Sequence, residues 1–343
     1  MTPRDDRASE ERLDALREEA ARTGTVQADG GRIAGGPIPP AAGGTGGADA
    51  GMPGYYGRPV VKPPVWTWEV PLYFFVGGLS GMAAVLAAAA WLTGAGEPIV
   101  RPALWLAFAG AALAPVLLIL DLGRPERFLN MLRVFKWRSP MSVGAWALAA
   151  WGAHSTAALA FYEWIVRAEP AGTAGMVADV LFVGAMAGGA VYGAMIAVYT
   201  GVLIGATAIP AWHLHHESLP VHFGIAGLGS AAAALELLGV RVGALDALGF
   251  GAAAVETAFG LWIEIHRHGA ADRSLRSGAS GWMLRCAGVL AGPVALGLRF
   301  ADLVPWAAAA FLAGALLSRY GWLEAGRASG RDPEAVFAAQ RER

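Results

Sequence analysis

From Trp66 to Leu323 the chain is a succession of apolar runs, each nearly free of charge and joined by short polar segments. Runs of about 20 apolar residues cross a hydrocarbon core ~30 Å thick as helices. In lipid a helix is the simplest way for a segment to satisfy its own backbone N–H and C=O groups. The whole sequence is 55% hydrophobic and 15% charged, against roughly 25% charged in soluble domains. The expected fold is therefore all-α: a polytopic membrane protein with eight transmembrane helices. The expected spans are 68–93, 101–121, 141–166, 174–204, 218–239, 243–266, 282–299 and 303–323. The fourth exceeds what a bilayer needs and should tilt or protrude. Small residues recur inside the spans, as at Gly77-Gly78, Gly188-Gly189 and Gly227-Leu-Gly229. They let helix backbones approach where hydrophobicity does not drive association. Eight spans divide naturally into two four-helix bundles.

Three regions follow. Residues 1–22 are charged throughout, lack the apolar stretch of a signal peptide, and suit a short charged helix. Thr23 to Val65 is rich in Gly, Ala and Pro, with too little apolar surface to offset ordering entropy; residues 1–65 are thus read as a flexible extension. Residues 66–323 form the membrane domain and 324–343 a short polar tail. An even number of spans puts both termini, and the connectors near 122–140, 205–217 and 267–281, on one face. That face carries Arg124, Arg127, Arg133, Lys136, Arg138, Arg267, Arg273, Arg276, Arg327 and Arg331. The opposite connectors carry little beyond Arg101, Arg167 and Arg241. The positive-inside rule then places the termini and connector 122–140 in the cytoplasm. The net charge of −1 offers no basic field for nucleic acid.

The first connector, Asp121 to Trp146, is the densest polar segment of the membrane domain, with seven charges between two apolar runs. Histidines gather on the same face: His213, His215, His216, His222, His266 and His268. They match no zinc signature, and an interfacial polar patch explains them as well. Only His154 lies well inside a span, and it has no obvious histidine partner at its depth, so no haem is expected. Cys286 is the single cysteine, too few to hold an iron–sulfur cluster; no metal is expected in this chain. Ionisable groups within spans are candidates for function. Glu256 and His154 lie near mid-span, Asp179, Glu236 and Asp246 toward the far face, and Glu69, Asp121 and Glu264 toward the connector face. They form either a proton-conducting polar track or separate interhelical hydrogen bonds. Trp66, Trp68 and Trp212 fit an interfacial belt. Tyr199 lies deeper, and its hydroxyl there requires a partner.

Leu120-Asp-Leu-Gly-Arg-Pro-Glu-Arg-Phe-Leu-Asn130 with Ser139-Pro-Met-Ser-Val-Gly-Ala-Trp146 resembles the signature connector of the polysulfide-reductase-type (NrfD/PsrC) membrane subunits. Tyr73-Phe-Phe-Val-Gly-Gly-Leu-Ser-Gly81 resembles that family's first span, and Tyr199-Thr-Gly-Val-Leu203 running to Pro210-Ala-Trp212 its fourth. The resemblance covers residues 66–323. It implies a haem-free, quinone-reactive anchor subunit of a respiratory oxidoreductase in a bacterial cytoplasmic membrane. Such a subunit exchanges electrons between menaquinone or ubiquinone and a ferredoxin-like iron–sulfur partner on the connector face. A molybdopterin or other redox subunit lies beyond. Carried over by motif, Tyr199 contacts the quinone, with Trp66, Glu69 and His222 at plausible depth beside it. Asp121, His154, Asp179, Glu256 and Glu264 are the proton-transfer candidates. Arg124, Arg127, Asn130, Arg133 and Lys136 dock the partner or anchor lipid. A proton or ion transporter without redox chemistry, and a purely structural anchor, are the competing readings.

Overall fold

Pro, Gly and Ser punctuate the apolar runs and set where the helices begin. In the computed structural model, residues 27–28, 32–33, 61, 64–94, 96–122 and 125–341 are described. The charged helix expected over 1–22, most of the extension to residue 65, and Arg124 lie outside the described residues. Within the extension, Gln27–Ala28 and Arg32–Ile33 pair as two antiparallel rungs.

The long helices are α1 (Glu69–Leu92), α2 (Glu97–Asp121), α3 (Pro140–Ala168), α4 (Gly172–Gly205), α6 (Ser218–Leu237), α7 (Gly243–Ile265), α8 (Gly278–Phe300) and α9 (Val304–Arg331). A short α5 (Pro210–Leu214) and a terminal α10 (Pro333–Arg341) complete the described helices, with 3-10 turns at Pro125–Leu132 and Arg273–Leu275. α2 begins four residues earlier than expected. Gly96 takes φ 86°, a backbone state other residues resist, and Pro98 then enters the first turn, where its missing N–H costs nothing. α3 starts where the Ser139-Pro140 pair predicts, with the Ser139 hydroxyl accepting from Ser142 N at 3.4 Å. α9 continues to Arg331, beyond the expected 323, because its second half is polar yet still helical.

Six of these helices are long and apolar enough to cross a membrane: α1, α2 from Pro98, α4, α6, α7 and α8. Eight were expected. α3 and α9 fall short because tryptophan, histidine, serine and charged residues dilute their apolar runs.

α1 and α6 are the most enclosed, with 61% and 67% of their apolar windows buried. α1 packs on α2, α4 and α6; α3 packs on α4; α6 packs on α7 and α9; α8 packs on α9. Glycine makes the central crossings possible. A Cβ on Gly81 would stand 2.3 Å from the Gly193 carbonyl oxygen, and one on Gly227 would stand 2.9 Å from that of Gly78. One apolar cluster fills the connector-face end around Phe74, Trp151, Trp212 and Trp322. Another fills the far end around Leu86, Leu104, Phe182 and Leu235. α8 is broken near its middle by a π turn, Leu290–Val294. There Gly292 leaves helical geometry before Pro293, the usual setting of such a bulge.

Candidate functional site

The segment entering α1 is held from three sides. Asp121, at the end of α2, accepts from Thr67 N at 3.1 Å and from the Thr67 hydroxyl at 2.8 Å. Tyr320 of α9 donates to Trp68 O at 3.0 Å, and Arg327 donates to Trp66 O. Trp66 stacks on Trp212 at 5.8 Å, and the Trp212 indole donates to Trp322 O at 2.7 Å. The Thr67 hydroxyl also contacts the Glu69 carboxyl. Glu69 is buried. Asp121 already accepts two hydrogen bonds.

Tyr199 is buried within α4 and leans on α3. A Cβ at Gly144 would overlap its ring, 2.0 Å from Cζ and 2.3 Å from the hydroxyl. Tyr73 of α1 is buried within electrostatic reach of it. Tyr199 and Tyr73 thus approach each other between α1, α3 and α4, while Glu69 and Trp66 lie at the opening of α1. A separate cavity of about 290 Å3 opens where α8 starts against α9, lined by Arg273, Ser277, Ser280, Glu324 and Ser329. Its lining does not include Tyr199.

A second polar group lies deeper, between α6, α7 and α9. His222 Nδ1 stands 3.3 Å from Glu256 Oε1, and His222 Nε2 lies 3.2 Å from the Ser318 hydroxyl. Phe259 stacks on the imidazole at 4.2 Å. Arg319, 1% exposed, lays its guanidinium over Phe223 at 3.6 Å and donates to Phe223 O at 3.0 Å. It forms no ion pair among the described residues, although it interacts electrostatically with Glu256.

Toward the far face, Arg299 of α8 forms a two-pronged pair with Glu236 of α6, at 2.9 and 2.7 Å, and bonds Asp246 of α7 at 2.8 Å. Gly249 leaves the room for this, since a Cβ there would sit 1.9 Å from the guanidinium. Glu163 of α3 gathers Arg101, Arg167 and Trp105 in a similar knot.

The structure therefore brings Trp66, Glu69 and Asp121 together, and joins His222 to Glu256. It does not join all the expected groups. His154 bonds its own helix at Ala150 O, 2.8 Å away, and packs on Tyr192. Asp179 is exposed on α4. Glu264 pairs with Arg285 at 2.6 Å on an outer surface. Arg127, Asn130, Arg133 and Lys136 are exposed along the connector. Arg299 and Arg319 were not among the expected site residues. Each is a cation within an expected span, and that signal alone would have found them.

At the connector face, His215 is buried between Trp262, Trp322 and His268. Burial first, then the neighbouring His268, pushes its imidazole down to about 4, so it is neutral at pH 7. Asp272 is held below its usual range: burial opposes this, but the Arg276 guanidinium at 2.6 and 2.9 Å and the His268 backbone N–H outweigh it.

Fold and site together define a helical integral membrane protein with ionisable groups enclosed between its helices. The profile of the polysulphide reductase NrfD family matches residues 59–249, more than half the chain, and the protein belongs to that family. No curated protein matches the sequence.

Proposed function

We propose that this chain is the quinone-reactive membrane subunit of a respiratory reductase complex. In this reading it passes electrons between the membrane quinone pool and an iron–sulfur subunit docked on the connector face. A molybdopterin or other redox subunit completes the complex. Membership of the NrfD family supports the setting. The observation that supports the site is buried Tyr199, packed against Gly144 and within electrostatic reach of Tyr73 on α1, the helix that Trp66 and Glu69 open.

The residues fit a quinone head-group in kind. A ring carbonyl needs a hydrogen-bond donor, and the Tyr199 phenol supplies one. Menaquinone or ubiquinone, when bound, provides a two-electron, two-proton couple. Tyr199 orients the head-group, Trp66 and Tyr73 keep water from it, and Glu69 takes up or gives a proton as the quinone turns over. The Thr67 hydroxyl links that proton to Asp121, half-buried at the connector face. Arg127, Asn130, Arg133 and Lys136, exposed beside it, suit partner docking or phospholipid anchoring.

α3 and α9 cross the membrane as well in this reading, giving eight crossings in a bacterial cytoplasmic membrane. α1–α4 and α6–α9 are then two four-helix groups meeting along the Gly78/Gly227 contact. The charge asymmetry places the connector face in the cytoplasm. Proton translocation accompanies turnover, with Glu256 as a carrier. A transporter without redox chemistry would favour a pair of broken helices in matching positions; among the described residues only α8 is broken by a π turn.

A photoreactive quinone analogue tests the site. Labelling of the intact complex is expected to fall roughly tenfold in Tyr199→Phe, the loss of about one hydrogen bond to the ligand. Quinone turnover is expected to vanish in a Tyr199→Phe, Glu69→Gln double variant. Full turnover in that double variant would reject the site.

A further inference from the structure

Buried polar atoms in folded proteins almost always have hydrogen-bond partners, so each exception asks for a cause. Among the described residues, several such exceptions follow one another through the second half of the bundle. They are His268 Nδ1, both ring nitrogens of His215, Glu256 Oε1, and Nε and Nη1 of Arg319. His268 and His215 are neighbours, with ring centroids 6.0 Å apart. Trp322 touches both His215, at 5.4 Å, and His222, at 6.3 Å. His222 stands 3.3 Å from Glu256 without hydrogen-bond alignment. Glu256 interacts with Arg319. The sequence thus runs from the half-exposed His268 inward to a fully enclosed guanidinium.

Two explanations compete. The nitrogens of His215 and His268 and the carboxylate of Asp272 approach within 4.8 Å of one another, as metal ligands would. The donor chemistry disfavours an ion there. Asp272 Oδ2 already accepts from His268 N at 3.0 Å and Arg276 Nη1 at 2.9 Å, and Oδ1 accepts from Arg276 Nη2 at 2.6 Å. Three of its roughly four acceptor positions are engaged, and a dication would sit beside a guanidinium. A metal would also leave Glu256 and Arg319 unexplained. Water serves all of them. Ordered waters bridge buried polar groups at modest entropic cost, and such sites are polar by necessity.

We propose that His268, His215, His222, Glu256 and Arg319 line a file of water that carries protons between the connector face and Glu256, and that the file ends at Arg319. A neutral imidazole with both nitrogens open takes a proton on one and releases one from the other. His215 is such a ring. At the inner end the Glu256 carboxylate gains an O–H bond as the adjacent water or His222 loses a proton. Arg319 keeps its charge throughout and repels any further cation, as a fixed arginine does in proton-excluding pores. Beyond it, Gly78 and Gly227 bring α1 and α6 into backbone contact, and the Arg299–Glu236–Asp246 group is already paired within itself. The charged or titratable groups facing the file are His222 from α6, Glu256 from α7, Arg319 from α9, and His268, Asp272 and Arg276 from the connector. α1 brings Gly78 to it. Glu256, His268 and Arg319 lie outside the stretch matched by the family profile. The proposal does not depend on the quinone site, because its test needs no turnover.

Infrared difference spectra of the full-length protein in lipid nanodiscs, taken across a pH titration, test it. The expected result is a protonated-carboxyl band that disappears in Glu256→Gln and shifts promptly on transfer to D2O. His215→Leu should slow that shift by roughly tenfold or more, the scale of losing a positioned proton-transfer group. His268→Leu, at a half-exposed position, should slow it too, and exposed His266→Leu should not. The proposal is overturned by any of three outcomes: no Glu256 band at any pH, an exchange rate indifferent to both His215 and His268, or stoichiometric zinc bound through those histidines.

Discussion

The two ends of α1 and the core of α6–α9 solve the burial of polar groups in opposite ways. Around Thr67 every polar contact is local and closed: a hydroxyl between two carboxyls, a tyrosine on a carbonyl, an arginine on another. In the second half, charges are enclosed at greater depth. One set is fully paired, Arg299 with Glu236 and Asp246. The other, Glu256 and Arg319, is left open to something else. Closed hydrogen bonding fixes a backbone; open valences keep a route for small, mobile partners. The same chain thus uses polar burial once as a fastener and once as a conduit.

The sharpest way to break this comparison is to open the closed set. Arg299→Ala should destabilise the protein by about 3–5 kcal/mol, because Glu236 then stays buried as an unpaired charge. Replacing both residues with leucine should recover much of the loss; thermal unfolding in detergent measures both. An equal loss from Arg319→Ala would erase the distinction between the paired and open sets. A smaller effect is expected on acidification. His215 is neutral when folded and its pKa is depressed to about 4 from 6.5. The unfolded chain therefore binds the extra proton first as pH falls. Stability should be flat above about pH 6.5 and fall between about 6.5 and 4, by at most about 3 kcal/mol. His215→Phe should abolish that slope. The smallest change belongs to the helix crossing. Gly81→Ala should cost about 1–3 kcal/mol by forcing α1 from α4, leaving the pH slope intact.

Much of the fold was readable because lipid imposes so simple a rule on the sequence. The apolar runs located all eight long helices, the third to within one residue of its start at Pro140. The ends were harder. α9 runs on past Leu323 because polar residues continue a helix almost as readily as apolar ones. Of the site, Glu69, Asp121, His222 and Glu256 were recognisable as ionisable residues in or beside spans. Their joining through Thr67 and Ser318 was not, since nothing in a linear sequence sets residues 54 or 96 positions apart in contact. Arg319 was legible by the same rule that singled out Glu256, and went unread amid the small residues of the last span. His215, Trp322 and His268 come together only when a connector folds over the end of α9.

The hold of Arg327 and Tyr320 on the backbone of Trp66 and Trp68 carries a consequence for biosynthesis. These contacts span 261 and 252 residues. At roughly 5–20 residues per second, the opening of the first helix waits on the order of tens of seconds for the last one to arrive. Until then the backbone of Trp66 and Trp68 lacks both of these contacts. A chain that stops before α9 would insert most of its helices and still lack a finished entrance.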